Sequence, residues 1–363
     1  MKAVISAYTR SPQTFARKGP LATVRPDDLA ATVVKGLLSQ HKMDPSTLED
    51  LILGCAYPEA TQGNNLARIV GLLAGLPQEI PGVTVNRFCG SSMQAIHMAA
   101  ANLEAGIGQA YLCVGVESMS QVPQGGFNFS PNPAIPEAYV TMGQTAENVA
   151  ERYRISRADQ EEFALRSHQK AQLNQEPLVP IGEIAADGCI RPGTSLEALA
   201  KLAPAFRSDG VVTAGTSSPL TDGASAVLVT TPEYAARHGL TPLARITTFA
   251  TSGCDPAYMG MGPVPATRKA LQRAGLSVAD LDLIELNEAF ASQALACQRE
   301  LGLDLEKINL EGGGLALGHP LGATGARITG QAARLLQKSG ARYALATQCI
   351  GGGQGIATIL EHV

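Results

Sequence analysis

Apolar positions fall in short runs of β character that alternate with stretches of helical spacing. Ala3–Tyr8 forms the first run and ends at the Ser11-Pro12 turn; Asp28–Gln40 follows with apolar residues three and four apart. Leu51–Cys55 predicts a strand and Asn65–Ala74 a helix stopped by Gly75. Val83–Asn86 predicts a strand, a helix runs from about Ser91 to Ala105 with Gly106 as its stop, and Ala110–Val116 is the next strand. Near the end, Ala344–Gln348 and Ile356–Glu361 flank Gly351-Gly-Gly353, the pattern of a tight hairpin.

The pattern repeats. Leu48-Glu-Asp-Leu-Ile-Leu-Gly-Cys55 resembles Asp280-Leu-Asp-Leu-Ile-Glu-Leu-Asn287, with Asp50 and Asp282 separated by 232 positions. The same offset carries Cys89-Gly-Ser-Ser-Met onto Leu321-Gly-Ala-Thr-Gly, and Tyr111–Glu117 onto Tyr343–Cys349. Two halves of like fold are the economical reading. The closing strand of the first half is Ala224–Thr230, and the gap before it predicts an inserted domain. The insert opens with a Pro/Gly/Asn-rich stretch, Gln121–Pro136, followed by polar amphipathic helices at Ala146–Tyr153 and Ser156–Asn174, with Ser156 to Asp159 as a capping sequence. The expected boundaries are 1–117 plus 208–241 for the first half, 118–207 for the insert and 242–363 for the second half. Alternating strands and helices predict an α/β fold with parallel-rich sheets covered on both faces.

Composition narrows the setting. Of 363 residues 45% are hydrophobic and 17% charged, which suits a packed core, and a net charge of −4 argues against a general nucleic-acid surface. No apolar run reaches the ~20 residues of a membrane helix. The first twelve residues read as a strand and turn rather than a leader. Seven scattered cysteines (55, 89, 113, 189, 254, 297 and 349) without CxxC spacing predict reduced thiols and a cytoplasmic setting. Nothing in their arrangement calls for a metal.

Candidate chemistry gathers at matching points of the repeat. Cys89 lies between a strand and a helix start, where unpaired N–H groups and the helix dipole favour a thiolate. On position alone, a buried cysteine in a tight turn explains it as well. His319 occupies the equivalent loop of the second half, so pseudo-twofold packing brings the two together and lets a histidine deprotonate a thiol. Cys349 follows a strand at the position equivalent to Glu117. A second thiol is a fitting acid or base toward carbon, although a small core residue is the commoner fate. Gly351 offers an unobstructed N–H to an oxyanion. Asn287 could hold a water or an enolate oxygen; taken alone, it reads more readily as a helix cap.

Together the blocks Asn86-Arg-Phe-Cys-Gly-Ser-Ser-Met93, Asn287-Glu-Ala-Phe-Ala291, Gly318-His-Pro-Leu-Gly-Ala-Thr-Gly-Ala-Arg327 and Cys349-Ile-Gly-Gly-Gly353 closely resemble the thiolases, in family order and end to end. Ser156–Gln160, Phe163–His168 and Thr213-Ala-Gly-Thr-Ser-Ser218 resemble the family's lid and pantetheine loop. The resemblance implies a layered α-β-α-β-α fold of two pseudo-symmetric halves. It implies a 3-ketoacyl-CoA thiolase of fatty-acid β-oxidation with coenzyme A as co-substrate and no permanently bound cofactor.

In the implied roles, Cys89 is acylated, His319 activates it, Cys349 moves the carbon proton, and Asn287 holds a water at the enolate. Backbone N–H groups of Cys89 and Gly351 form the other oxyanion hole. Ser218 meets the pantetheine arm, and Met142, Met259 and Phe290 line an apolar channel, while Glu288 and His97 read as structural. A homodimer is implied, without nucleic acid or membrane insertion, and a β-oxidation enzyme is a candidate partner. An acetoacetyl-CoA thiolase is the alternative, and a non-catalytic acyl-CoA binding protein is disfavoured by the four intact catalytic residues.

The sequence departs from the family in four places. Ser118–Tyr139 lacks the longer segment through which tetrameric members associate. Glu183–Arg191 lacks much of the lid strand and loop, with its basic stretch. Thr141 stands where acetoacetyl-CoA-forming members commonly have His, and Glu311 where Asn is usual.

Overall fold

A computed structural model describes the chain from Met1 to Val363. The first half contributes β1 (Val4–Arg10), β2 (Thr14–Phe15), α1 (Pro26–Gln40), β3 (Asp50–Gly54), α2 (Leu66–Ala74), β4 (Gly82–Val85), α3 (Ser91–Glu104) and β5 (Ala110–Ser118). The insertion carries α4 (Met142–Arg152), α5 (Arg157–Ala171) and the short α6 (Leu196–Ala200). The chain then returns as β6 (Thr221–Thr230) and α7 (Pro232–Arg237). The second half runs β7 (Ala244–Gly253), α8 (Pro263–Ala274), β8 (Leu283–Leu286), α9 (Ala291–Leu301), α10 (Gly314–Leu317), α11 (Leu321–Ser339), β9 (Tyr343–Ile350) and β10 (Gln354–Glu361).

Local chemistry explains the ends of these elements. Pro26 opens α1 with Asp27 and Asp28 in its first turn, where the missing N–H costs nothing and acids meet the helix dipole. The Ser156/Asp159 capping box starts α5 as the sequence indicates. The helix expected from Ala146 begins at Met142, which puts that side chain on the insert's first turn.

The strands order as β4-β3-β5-β6-β1-β7-β10-β9-β8, with β2 on β6. The two half-sheets pair with one another only where Val4 and Ile5 meet Arg245 and Ala244. The sheets are mixed rather than parallel-rich. Only β3 with β4 and β5, and β8 with β9, run parallel. The closing strands β6 and β10 return antiparallel to β5 and β9, and β1 and β7 pair antiparallel to those in turn. The pairing of β5 with β6 runs from Ala110↔Thr230 to Ser118↔Asp222, so the whole insertion emerges from one end of this strand pair.

Five layers result. Helices α1 and α2 cover the first half-sheet through Leu29, Val33, Leu66 and Val70, and α8 and α9 cover the second through Val264, Ala266, Ala294 and Leu295. Between the half-sheets lie α3 and α11, whose Ile96, Ala99, Ile328 and Ala332 share one core with Ile52, Val227, Ile246 and Ala346. The two middle helices meet at their N-terminal ends. Ser92 Oγ accepts the Ala326 N–H at 2.8 Å, and a Cβ on Gly325 would run into the Met93 backbone. The insertion's return is tied to this core by buried charge. Arg10 holds Asp187 through two bonds of 2.7 and 2.8 Å and pairs with Glu176, which also pairs with Arg327 at 3.3 Å.

Candidate active site

Cys89 follows β4 through a tight turn. Phe88 takes a left-handed φ of 43°, its N–H donating to Asn86 Oδ1 at 2.8 Å. Ser91 Oγ accepts the Arg87 N–H at 2.9 Å and donates to the Phe88 carbonyl at 2.6 Å, locking the turn from inside. A Cβ at Gly90 would come within 2.5 Å of Ile350, so glycine allows the turn to press against β9. The half-buried Cys89 therefore stands just ahead of α3.

Burial pushes the Cys89 thiol up to about 12, and the Glu117 carboxyl acts the same way, against a downward pull from the N–H groups of Gly351 and of Cys89 itself. The helix start does not deliver a resting thiolate. That expectation is corrected, because loss of water outweighs the N–H groups at the helix end. The same two N–H groups nonetheless both reach the sulfur, so two backbone donors stand beside this thiol.

His319 is buried, its N–H donating to Thr221 Oγ1 at 3.1 Å. Its Nδ1 lies 2.7 Å from Thr324 Oγ1, whose only proton goes to the Pro320 carbonyl at 3.0 Å. These partners assign the proton to Nδ1 and leave the Nε2 lone pair to accept. Asn287 Nδ2 donates toward that Nε2 at 3.3 Å. Burial, with Arg327 adding to it, pushes His319 down to about 3, so the imidazole is neutral. Asn287 is held by its N–H on the Thr347 carbonyl at 3.0 Å, and its buried Oδ1 accepts no hydrogen bond from the protein. The amide is thus no helix cap; α9 begins only at Ala291.

Cys349 closes the site at the end of β9. It is fully buried, and burial, followed by the neighbouring Cys89, pushes its thiol well above the usual range. It shares a small apolar cluster with Met259, Phe290, Ala289 and Val212, flanked by Met142. A Cβ at Gly351 would lie 3.7 Å from the Phe88 ring and 3.8 Å from the Met142 sulfur, so these side chains frame the approach to the thiols. Ser218 donates its N–H to the Ala289 carbonyl at 2.9 Å, and Ser217 bridges to Phe290, which fixes the 213–218 loop against the cluster.

The nine residues singled out from sequence therefore lie around one site. Phe127 and Phe129, 45% and 82% exposed, stand outside the apolar cluster. Sequence reasoning missed Phe206, which meets Phe290 edge-on at 5.9 Å and abuts Gly143; no motif marks it. It also missed Thr324, which orients His319, and Gln348, which donates to the Cys89 carbonyl. Glu117 was legible only as the counterpart of Cys349. Its carboxylate accepts N–H groups from Ala56 at 2.8 Å and Gly322 at 2.9 Å, joining the Cys55 strand end to the start of α11.

Comparison with known proteins bears on the family and the fold. Family models described as thiolase N-terminal and C-terminal domains match residues 3–233 and 240–362. The chain is 46% identical to a 3-ketoacyl-CoA thiolase of Bacillus subtilis, with 99% of each chain covered. It is 48% identical to one of Shewanella frigidimarina over 385 positions covering all of both chains, about 22 more than the 363 residues here. A human mitochondrial 3-ketoacyl-CoA thiolase, also solved in complex with CoA, superposes with a TM-score of 0.92 at 39% identity, covering 99% of this chain and 98% of that one. An acetyl-CoA acetyltransferase of Bacillus anthracis does so with a TM-score of 0.92 at 38% identity, covering 100% and 99%. The chain belongs to the thiolase family.

Proposed function

We infer that the protein is a 3-ketoacyl-CoA thiolase, an acyltransferase that uses CoA as co-substrate. The observation that carries this reading is a pair of neighbouring thiols, one of them reached by the Gly351 N–H, together with a neutral imidazole paired with an amide at 3.3 Å. Cys89 Sγ attacks the 3-keto carbon while His319 Nε2 takes its proton, so charge moves directly onto the carbonyl oxygen. That oxygen is received by the N–H groups of Cys89 and Gly351. The bond between C2 and C3 then breaks, leaving the shortened acyl group on Cys89 and an enolate of acetyl-CoA. His319, now carrying a proton on Nε2, and a water on Asn287 hold the enolate oxygen, and Cys349 gives its proton to the enolate carbon. The Cys349 thiolate deprotonates incoming CoA, whose sulfur takes the acyl group as His319 returns its proton to the departing Cys89 sulfur. Run backwards, the same groups perform a Claisen condensation.

Residues 118–207 act as a lid in this reading. It brings Met142 to the channel that Met259 and Phe290 line, with Ser218 and the exposed Phe206 at the pantetheine arm. Phe127 and Phe129 stand outside that cluster, and each methylene that an acyl chain buries beside it contributes ~0.8 kcal/mol. Medium and long 3-ketoacyl chains are therefore favoured. A short-chain acetoacetyl-CoA thiolase is the second reading, favoured by the equal superposition of the Bacillus anthracis enzyme.

One experiment tests both readings. Thiolysis is assayed over a chain-length series, and Cys89 acylation is located by peptide mass mapping in the wild type and in Cys349→Ala. The expected result is kcat/KM rising with chain length, acyl on Cys89 in both proteins, and turnover lost in Cys349→Ala. A fall with every added methylene selects the short-chain reading; acylation of another cysteine alone overturns the mechanism.

A sheet edge bears on assembly. Strand β4 ends the sheet with its outer side unpaired, Val83 is exposed on it, and Leu72 and Leu73 are exposed on the adjacent α2. A second copy of the chain covers such an edge, so a homodimer is expected. Light scattering at micromolar concentration checks this, and a stable tetramer would contradict it. No helix is long and apolar enough to cross a membrane, and seven free cysteines support a reducing, cytoplasmic compartment.

A further inference from the structure

We propose that Glu288 is a positioning residue for the Asn287–His319 pair, and that Ser167 makes the inserted segment part of that support. The proposal rests on the thiolase reading and deepens it.

Glu288 is buried, and its carboxylate makes no hydrogen bond to the residues assigned to the thiol centre or the channel. Instead its two oxygens collect three donors from three separate pieces of chain. Oε1 accepts Asn309 Nδ2–H at 2.7 Å; Oε2 accepts Ser167 Oγ–H at 2.6 Å and the Leu315 N–H at 3.2 Å. Ser167 Oγ in turn accepts the Gly313 N–H at 3.2 Å.

Each donor leads toward a catalytic group. Asn309, at a left-handed φ of 47°, grips Leu286 as a strand partner would. Its Oδ1 takes the Leu286 N–H at 2.9 Å, and its Nδ2 gives to the Leu286 carbonyl at 2.8 Å. Leu286 immediately precedes Asn287, so this grip sets where the amide is presented to His319. Gly313 and Leu315 open the short α10, which leads directly into Gly318 and His319. No side chain fits at Gly313, because a Cβ there would strike the Glu288 carboxylate. Ser167 is the outlier in origin, since it belongs to α5 of the insertion. One buried carboxylate therefore joins the strand end carrying Asn287, the loop carrying His319 and a helix of the lid.

A group that orients another reacting group moves kcat rather than KM, and loss of such supporting bonds costs about 10–100-fold. Ser167→Ala and Glu288→Gln test the assignment with three readouts: steady-state kinetics, thermal melting, and the rate at which iodoacetamide alkylates Cys89. The last needs no acyl-CoA and reports whether His319 still serves as base, so it remains informative if the wild type cleaves no 3-ketoacyl-CoA and the thiolase reading itself fails. For Glu288→Gln we expect kcat to fall about tenfold or more with KM within about twofold, and for Ser167→Ala a smaller fall of the same kind. Alkylation should slow in parallel, and the double variant should be no worse than Glu288→Gln alone, because both act through one network. Wild-type kcat and alkylation in a folded Ser167→Ala protein, a loss appearing as raised KM, or losses that multiply in the double variant would each overturn the proposal. Ser167→Ala removes a single oxygen, and it decides the matter alone if Glu288→Gln does not fold.

Discussion

At Cys89 two effects oppose one another, and enclosure prevails over the N–H groups at the helix start. With Cys89 pushed up to about 12 and His319 down to about 3, the resting pair is uncharged. The ultraviolet absorbance of the Cys89 thiolate, read as the difference from Cys89→Ala, should therefore climb steadily from pH 6 to 10, as the thiolate fraction grows about tenfold per unit below the thiol's pKa. A plateau across neutral pH would instead reveal a thiolate–imidazolium pair. The identity of these residues was readable along the chain because the 232-residue offset set the Cys89 turn opposite the His319 loop. Their protonation was not, since it depends on burial and on partners such as Thr324 that only the folded chain supplies. Glu288 read as merely structural for the same reason: its three donors come from residues 167, 309 and 315.

The crossing of α3 and α11 is where the motifs become geometry. Small residues in both helix starts allow the backbones to meet, and Ser92 Oγ completes the contact on the Ala326 N–H. Gly325→Ala should force Met93 and its turn outward, costing on the order of 1–3 kcal/mol of stability. Urea denaturation measures this, and an unchanged midpoint would show that the crossing gives way freely. Helical spacing and glycine stops marked these helices well, within a residue or two at most ends. Strand direction was less legible. Alternation and apolar runs identify β6 and β10 without indicating that each returns antiparallel to its neighbour, which is why the sheets are mixed.

Across the whole molecule, buried titratable groups shape stability in opposite directions. His97, His168 and His319 are pushed down from 6.5 to about 3, 4 and 3 by burial. As pH falls below 6.5 the unfolded chain takes up protons that the native protein refuses, so stability declines on the acid side. Glu285, buried on β8 with neither oxygen hydrogen-bonded, is pushed up from 4.5 to about 8 by burial. Between those values the native protein keeps a proton that the unfolded chain has released, so stability also declines as pH rises; burial shifts Glu117 and Glu288 in the same direction. Each shifted group contributes ~1.4 kcal/mol per pH unit within its window. The thermal midpoint should peak near pH 6 to 6.5, and Glu285→Gln should flatten the fall from 6.5 to 8. Calorimetry across pH 4.5–8.5 checks both, and a midpoint still rising toward 8 would contradict the assignment.

The first strand of the chain has a consequence for biosynthesis. Its hydrogen-bonding neighbours are β6 and β7, so Val4–Arg10 emerges from the ribosome long before residues 221–253 exist to pair with it. At about 5–20 residues per second that interval lasts roughly 10–45 s. The nascent N-terminal segment meanwhile carries an apolar strand with both edges open. A chain stalled or cleaved within the insertion would expose this strand permanently, and aggregation rather than a folded half-molecule is the fate such a fragment should meet.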